Sequence, residues 1–505
     1  MLVSARMRFL VSGVAVGLLA LARTAAGDEP EPTPVELPAE PVSAPTPAPA
    51  PTPPPTIPVV TPAKPVAVID SRRDGFRFGS YGRVLASTDL RGGKPEPANV
   101  VAHGPRIVED TYLELDLSYG LYTPRGQLIR PVITLAFDGT LFHDTGDFDA
   151  QPAIRNMYLE VEVNKQVTAW IGSRMYRGDD IYLFDYWPLD DLNTVGGGMA
   201  FRADALELAA HAGVNRLDDE FQFQEIEVAN PEQGATTVVQ LNRQRMVASA
   251  TAAYTLRRAK SEPSLKLKLH GELHALPSGT RKRVDGTFED LPYDTGYLIG
   301  AQAGTFGFSD DARYRRHLNV YVRYARGLAA FDELAPPTSF GTDLKTRRAS
   351  ELSFGVAGNW DHRLGSVMLG GLSRRFVDAD GNTTDFDDGW EYAVNVRPLA
   401  KLGGSDLFAG ADLSYQARFP RGLNAITQRA EDPAVFQFAP MIVYSPMGPS
   451  AYDRPQLRLV YRAAAFNEAA RDLFVPDDPR ARYTWTHFLG LQAEWWFNSS
   501  SYGRK

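Results

Sequence analysis

The feature that most constrains the fold of this chain is a strict two-residue alternation of apolar and polar side chains. Between residues 112 and 121, every second residue from Leu113 is apolar or aromatic, and Glu114 and Asp116 lie between them. The same period recurs at 159–164, 265–273 and 317–324. Because successive side chains of a β-strand point to opposite faces, this pattern predicts strands with one apolar and one polar face.

Two architectures contain such strands, the soluble sandwich and the closed membrane barrel. In a sandwich the apolar faces meet in a core, but here the polar faces carry many charges. A barrel accounts for both faces, because lipid covers the apolar one, a wet lumen takes the polar one, and closure leaves no unpaired edge. We therefore predict an all-β, transmembrane, antiparallel barrel in the bacterial outer membrane. At about 10 residues per strand plus loops, its length allows roughly 16–18 strands.

The N-terminus has the pattern of a secretory signal over residues 1–27. Arg6 and Arg8 precede a nearly continuous apolar run, and small residues follow at 24–27. The alternative is a membrane anchor, which needs about 20 apolar residues, more than this run provides. We therefore expect cleavage of the signal and export of the mature protein.

Residues 28–70 differ in composition from everything that follows. Fifteen prolines lie between Pro30 and Pro65, so the segment favours an extended polyproline conformation and cannot bury a core. We predict a disordered periplasmic linker, either a passive spacer or a tether to the cell wall or to a partner. The barrel domain is then 71–497, and 498–505 form a polar C-terminal tail beyond the last aromatic strand.

Composition argues against several other functions. The net charge of −8 does not fit a nucleic-acid partner, and the absence of cysteine excludes thiol chemistry and cysteine-ligated metals. We find no nucleophile elbow and no phosphate-binding loop. His270 and His274 would lie about 13 Å apart on a strand, too far to share an ion, so we expect them to be solvated lumen residues. No enzyme activity, cofactor or metal site is predicted.

The acidic stretch 378–388 does not have the spacing of an EF-hand. We predict a hairpin loop there. The alternative is a bridge to calcium or lipopolysaccharide.

The segment from Arg174 to the three glycines at 196–198 is chemically dense. It combines tyrosine, tryptophan and phenylalanine with arginine and five aspartates. Sugars bind to such mixtures, because pyranose C–H faces stack on aromatic rings and hydroxyl groups bond strongly to ionised side chains. The glycines would allow the tight, irregular backbone of a loop folded into a lumen. An ordinary polar extracellular loop remains the alternative.

Several ordered pieces along residues 76–497 resemble the maltoporins and related carbohydrate porins. The pieces are Gly-Ser-Tyr-Gly-Arg at 79–83, Thr-Tyr-Leu-Glu-Leu at 111–115, Trp-Ile-Gly-Ser-Arg-Met-Tyr at 170–176, Asn-Trp-Asp at 359–361, Val-Arg-Pro at 396–398, Ser-Ala-Tyr-Asp-Arg-Pro at 450–455 and Glu-Trp-Trp-Phe at 494–497. The resemblance implies an 18-stranded homotrimer whose third loop folds inward as a constriction. It also implies a spiral of aromatic residues, the slide, flanked by charged residues.

The resemblance assigns candidate site residues by motif. A constriction arginine of the family aligns with Gly178, beside Arg177, and a slide phenylalanine aligns with His317. These two departures argue against a narrow maltodextrin preference. The aromatic slide positions fall on Tyr81, Tyr112, Trp187, Tyr452 and Trp496, with Phe148 as an aromatic lent to a neighbouring subunit. The polar-track or constriction-loop positions fall on Glu114, Arg155, Asp180 and Asp185; Arg83 is expected as a lumen partner, and Arg177 as the substitute for the constriction arginine missing at 178.

The expected function is facilitated diffusion of maltodextrin-type oligosaccharides or other sugars across the outer membrane. The expected partners are these oligosaccharides, outer-membrane lipid and lipopolysaccharide, two further copies of the chain, and the cell wall through the proline-rich linker. One alternative is a general diffusion porin. Another is a structural or adhesive barrel tethered by its proline-rich arm.

Overall fold

The computed structural model describes residues 74–142, 146, 149–256, 264–307, 316–332, 334–381 and 386–499. The predicted signal, the proline-rich linker and Phe148 lie outside the described residues. The strands are β1 Gly75–Thr88, β2 Tyr112–Tyr122, β3 Leu128–Thr140, β4 Asp149–Glu162, β5 Val167–Arg177, β6 Asp191–Ala203, β7 Leu206–Asn215, β8 Phe223–Asn230, β9 Gly234–Asn242, β10 Arg245–Leu256, β11 Ser264–Leu276, β12 Gly279–Lys282, β13 Phe288–Leu291, β14 Asp294–Phe306, β15 Arg316–Gly327, β16 Ser350–His362, β17 Gly365–Val377, β18 Gly389–Lys401, β19 Leu407–Pro420, β20 Ala434–Tyr444, β21 Gln456–Phe466 and β22 Trp485–Phe497.

Within the described residues, eighteen of these strands form one closed antiparallel barrel. Each barrel strand pairs with the next in the chain, and β22 closes the circle on β1, where Tyr81 faces Trp496 in register. The hairpins β8–β9 and β12–β13 lie in the loops between barrel strands. Short helices span Glu468–Arg471 and Pro479–Arg482. No helix in the described part of the chain is long and apolar enough to span a membrane. The predicted barrel is confirmed.

The alternation seen in the sequence divides the two faces of the wall. On β11, Leu267 and Leu269 are 48% and 65% exposed, whereas Lys268 and His270 are 6% and 5% exposed. The exposed apolar side chains form the outer, lipid-facing surface, and the charged side chains point inward. Glu114 and Asp116 are buried on the inner face in the same way, so the predicted register is confirmed.

The two ends of the barrel differ in their connections. Residues 123–127, 163–166 and 363–364 make short turns at one end, while long segments such as 89–111 and 328–349 lie at the other. Longer loops mark the extracellular side of outer-membrane barrels.

Two of the connections that enter the lumen meet each other there. The constriction loop, residues 178–190, comes from the long-loop end, and the lower loop, residues 445–455, comes from the other end. The ring of Tyr182 in the constriction loop lies 6.1 Å from that of Tyr452 in the lower loop. Ile181, Leu183 and Phe184 are buried inside the barrel, so the predicted inward-folded loop is present.

Two details differ from the sequence analysis. Gly196–Gly198 do not form an irregular loop, because they lie within the regular strand β6. A Cβ at Gly198 would lie 2.6 Å from the Trp170 indole, so the glycine makes room for that ring.

The second difference concerns the two histidines of β11. They are not solvated: His270 and His274 are buried, and Glu272 lies between them, 2.8 Å from the Nε2 atom of each. The two-residue period places all three side chains on the inner face, where the carboxylate bridges the rings.

Candidate functional site

A file of aromatic rings lines the lumen where the first and last strands meet. The ring centroids of Tyr112 and Tyr81 are 5.9 Å apart, those of Tyr81 and Trp496 are 6.3 Å apart, and those of Trp496 and Tyr452 are 6.4 Å apart. Neighbouring rings are tilted by 40–53°. Four predicted slide residues are therefore brought together. We call this set, with His317, the aromatic file.

His317 continues the file towards the short-turn end. Its ring centroid lies 5.9 Å from that of Tyr452. Tyr112 is the first residue of β2, at the long-loop end, and His317 is the second residue of β15, at the opposite end. The file thus runs along the barrel axis from one end of the wall towards the other.

The strands and the lower loop position these rings. Tyr81 registers with Glu114 on β2 and with Trp496 on β22, so three adjacent strands bring their inward side chains to one level. Tyr452 comes from the lower loop, and its hydroxyl bonds the Asp180 carboxylate of the constriction loop. The file is therefore built from both the wall and the two inward loops.

A network of arginines and carboxylates flanks the file around Glu494. Arg106 donates to Glu494 at 3.2 Å, Arg454 lies 2.7 Å from it, and Arg458 contacts it as well. The guanidinium of Arg454 also lies 4.3 Å from the centre of the Trp496 ring. Ionised donors and acceptors therefore stand directly beside the aromatic surface.

Asp185 connects the constriction loop to this network. Its carboxylate lies 3.6 Å from both Arg83 and Arg106, and Arg83 also pairs with Glu109 at 3.0 Å. Burial alone would raise the pKa of Asp185, but Arg106, Arg83 and Arg177 outweigh burial and hold the pKa below its usual range. Asp185 is thus ionised at neutral pH, and its side chain keeps 35% exposure.

Glu114 and Arg155 form a second polar group at the Tyr112 end of the file. The Tyr112 hydroxyl donates to Glu114 Oε1 at 2.7 Å, and Arg155 bonds both the hydroxyl and the carboxylate. Arg155 Nε also lies 2.9 Å from Met175 Sδ. Tyr112, Glu114 and Arg155 are therefore one hydrogen-bonded unit at the long-loop end.

The wall fixes the constriction loop by charge on one side. Lys268 donates to Asp190 at 2.7 Å, and Lys266 pairs with Asp179. Arg323 donates to the Tyr186 hydroxyl at 3.1 Å. The loop is therefore held by the inner faces of β11 and β15.

Glycines on the wall accept the apolar side of the same loop. A Cβ at Gly355 would lie 2.8 Å from Ile181, and one at Gly370 would lie 3.2 Å from Ile181 and Leu183. Larger residues at these positions would therefore push the loop away from the wall.

Trp187 and Arg177 occupy a different setting from the file. Trp187 is 4% exposed, and the Arg177 guanidinium lies 3.7 Å from the centre of its ring. Arg177 Nε donates to Asp191 at 3.1 Å. At Gly178 an added Cβ would collide with the Asp190 carboxylate. A larger residue at 178 would therefore displace the Asp190 side chain, which Lys268 holds.

Sequence reasoning did not assign several residues of this site. Arg454 and Glu494 lay inside the quoted motifs, and the alternation of β21 points Arg458 inward, so their presence in the lumen could have been found. Residues 89–111 have no periodicity, so nothing predicted that Arg106 and Glu109 enter the lumen. Tyr182 had no distinguishing signal within its aromatic segment. The unassigned residues are Arg106, Glu109, Tyr182, Arg454, Arg458 and Glu494.

A closed barrel with a lipid-facing apolar surface, an inward loop and a charged lumen defines an outer-membrane porin. A model of the LamB porin family matches residues 76–497. The chain belongs to the LamB porin family and is an integral β-barrel of the outer membrane, a channel by family and fold. The suspected relationship to maltoporins is confirmed at the level of the family.

Solved structures similar to this chain are also outer-membrane proteins. OprD of Pseudomonas aeruginosa is 10% identical with a TM-score of 0.43, covering 84% of this chain and 94% of its own. OccAB1 of Acinetobacter baumannii is 12% identical with a TM-score of 0.42, covering 84% and 96%. OccK1 of P. aeruginosa is 14% identical with a TM-score of 0.40, covering 84% and 97%. No curated protein matches the sequence.

Proposed function

We propose that this porin selects carbohydrates and lets them diffuse passively along the aromatic file. The observation that carries the proposal is the continuity of the file, whose successive ring centroids from Tyr112 to His317 are 5.9–6.4 Å apart. Tyr112, Trp496, Tyr452 and His317 are partly exposed and offer a sugar successive stacking surfaces. Tyr81, 2% exposed, packs between Tyr112 and Trp496 and supports them.

The charged residues beside the file supply the second half of sugar recognition. Carboxylates such as Asp185 accept hydrogen bonds from hydroxyl groups, and guanidinium groups such as that of Arg83 donate them; both side chains are partly exposed. An oligosaccharide that slides along the rings exchanges these bonds one at a time. Because each contact is weak and is replaced by the next, the sugar enters without being trapped.

Single-channel recording in a planar bilayer tests the proposal. Maltose, maltotriose and longer maltooligosaccharides added to the pore should interrupt the ion current in a saturable manner, and block should strengthen with chain length as more rings are engaged. Sucrose and oligoxylosides in the same assay rank the sugar classes.

Each alternative gives a different recording. A general diffusion porin conducts ions without saturable block by any sugar. A structural or adhesive barrel conducts poorly in the absence of sugar. Either result would contradict the proposed selectivity.

A further inference from the structure

The outer wall of the barrel carries arginines at its long-loop end, on the face that is otherwise apolar. On β15, Val320 and Val322 are exposed and Arg323 is buried, so the exposed Arg326 continues the outward face. Arg375 on β17 alternates with the inward-facing Arg374, whose guanidinium bonds Glu351 and Glu391 within the lumen. Arg326 and Arg375 therefore project from the outside of the barrel.

Aromatic residues stand beside each of these arginines on the same face. Arg326 faces Tyr297 in register, and Arg375 faces Trp390. Trp390 stacks on Tyr392, with centroids 6.0 Å apart and planes within 13°. Tyrosine and tryptophan on a lipid-facing wall mark the level of the lipid headgroups. Arg326 and Arg375 therefore lie at the level of the lipid headgroups of the outer leaflet.

The loop above this wall adds further cations. Arg326 Nε donates to the Arg347 carbonyl at 3.1 Å, which docks the end of the 328–349 loop on the rim. Arg347 and Arg348 are both exposed there. Asp343 pairs with Arg347 at 3.0 Å and offsets one charge. We call Arg326, Arg347, Arg348 and Arg375 the outer arginine patch.

The spacing of the two wall arginines suits a phosphorylated headgroup. Arg326 lies at the level of Ser350 and Val377, so Arg375 is two residues deeper and two strands away. This is about 7 Å along the strand and about 10 Å across the sheet. Long arginine side chains on such positions can converge on one headgroup, and guanidinium groups bind phosphate oxygens in pairs.

We propose that the outer arginine patch binds the phosphorylated lipid A headgroup of lipopolysaccharide. Charge complementarity and depth carry the assignment: anionic phosphate is the partner that cations require at this level, and the long-loop end faces the outer leaflet, which lipopolysaccharide forms. The apolar wall below accepts the acyl chains. The patch lies on the opposite side of the barrel wall from the aromatic file, so it serves anchoring in the membrane rather than passage through the lumen.

The test compares lipid A with dephosphorylated lipid A on the full-length purified porin in detergent, using native mass spectrometry. Wild type should retain lipid A at least about tenfold more strongly than the dephosphorylated form, because cations near a membrane surface each add appreciably to binding of anionic lipid. This comparison needs no variant. Equal retention of the two lipids would overturn the proposal.

Variants then locate the site. Arg326→Gln/Arg375→Gln should lose the preference for lipid A, while Arg283→Gln, which changes an arginine on a loop hairpin, should keep it. Both variants should remain folded, as judged by resistance of the barrel to unfolding in cold SDS. A folded double variant that retains lipid A like wild type would overturn the assignment. So would a double variant that dissociates into single chains with lipid A binding intact, because the patch would then be a contact between copies.

Discussion

Trp496 lies at the centre of the aromatic file and contacts two tyrosines and an arginine. Tyr81 and Tyr452 lie on either side of its ring, and Arg454 lies over it. A sugar that passes along the file must cross this ring. Removing the indole therefore interrupts the file while leaving the strand in place.

For this reason, Trp496→Ala should weaken oligosaccharide block by about 1 kcal/mol, roughly fivefold to tenfold, since aromatic contacts of this kind carry that magnitude. Small-ion conductance should stay the same or rise. The measurement is the dissociation constant from a titration of current block. Tyr415→Ala is the matched control, because Tyr415 is exposed on the lipid side and its loss should leave block unchanged. Equal effects of the two substitutions would remove Trp496 from the path.

Asp185 gives a prediction about pH. Its pKa lies below the usual value of about 3.9 because the effect of Arg106, Arg83 and Arg177 exceeds that of burial. A group with a lowered pKa contributes its favourable interaction fully above the usual pKa, and the contribution is lost as the pH falls through the lowered value. The ion pairs of Asp185 with Arg83 and Arg106 should therefore persist from neutral pH down to about pH 4.

Reversal potentials in a salt gradient measure the ion selectivity of the pore, which depends on the charge of Asp185. Wild type should keep its ion selectivity from about pH 7 to about pH 5, and Asp185→Asn should already be shifted towards anions at about pH 7. If wild type shifted towards anions over that interval and Asp185→Asn did not, Asp185 would be titrating at a higher pH than its partners allow.

At the scale of elements, the constriction loop depends on the smooth inner wall of β16 and β17. Gly355→Val should place methyl groups where Ile181 now packs, at a cost of about 1–3 kcal/mol if the loop stayed in place. We expect the loop to move towards the lumen axis or out of the lumen instead. Single-channel conductance should change, and saturable sugar block should be lost.

Gly358→Val is the control for this substitution. It lies on the same strand, and its Cβ would make only ordinary contacts, 3.4 Å from Leu318. Conductance and block should match wild type. If Gly355→Val also behaved as wild type, the packing of the loop on the wall would not set the constriction.

The elements were predictable to different extents. Alternation such as that of Leu267, Lys268 and Leu269 reports local geometry, so it gave both the strand and its two faces. The course of the 89–111 segment depends on distant partners, for example the bond from Val100 N to Gln416 Oε1, and no local pattern encodes such a contact. A run of glycines such as 196–198 favours a loop in the sequence, because nothing local distinguishes a turn glycine from a strand glycine that makes room for a neighbouring indole.

At the scale of the molecule, the sequence predicts that the barrel folds and conducts without the proline-rich linker. The barrel closes on itself through β1 and β22, and the proline-rich composition of 28–70 predicts no packed domain. Deleting 31–65 should leave barrel assembly, heat stability and sugar block unchanged. Failure of the deletion variant to assemble in the outer membrane, with the signal intact, would show that the linker contributes to biogenesis.

The family resemblance predicted those site residues whose motifs lie on barrel strands. Tyr81, Tyr112 and Trp496 met as expected because their strands are adjacent in a closed barrel. The polar partners of Glu494 come from strands and loops far apart in the chain, and only the folded barrel brings Arg106 to it. Trp187 shows what the motifs do not predict: its position in the sequence gives no sign that Arg177 covers its ring.

The central claim is that sugars travel on the aromatic file, and a crystal structure with bound maltotriose tests it most directly. We predict density for glucosyl rings in van der Waals contact with Tyr112, Trp496 and Tyr452, whose rings are partly exposed, with hydroxyl groups bonded to Arg83 and Asp185. Sugar bound only elsewhere in the lumen, or no bound sugar at concentrations that block the current, would contradict the claim.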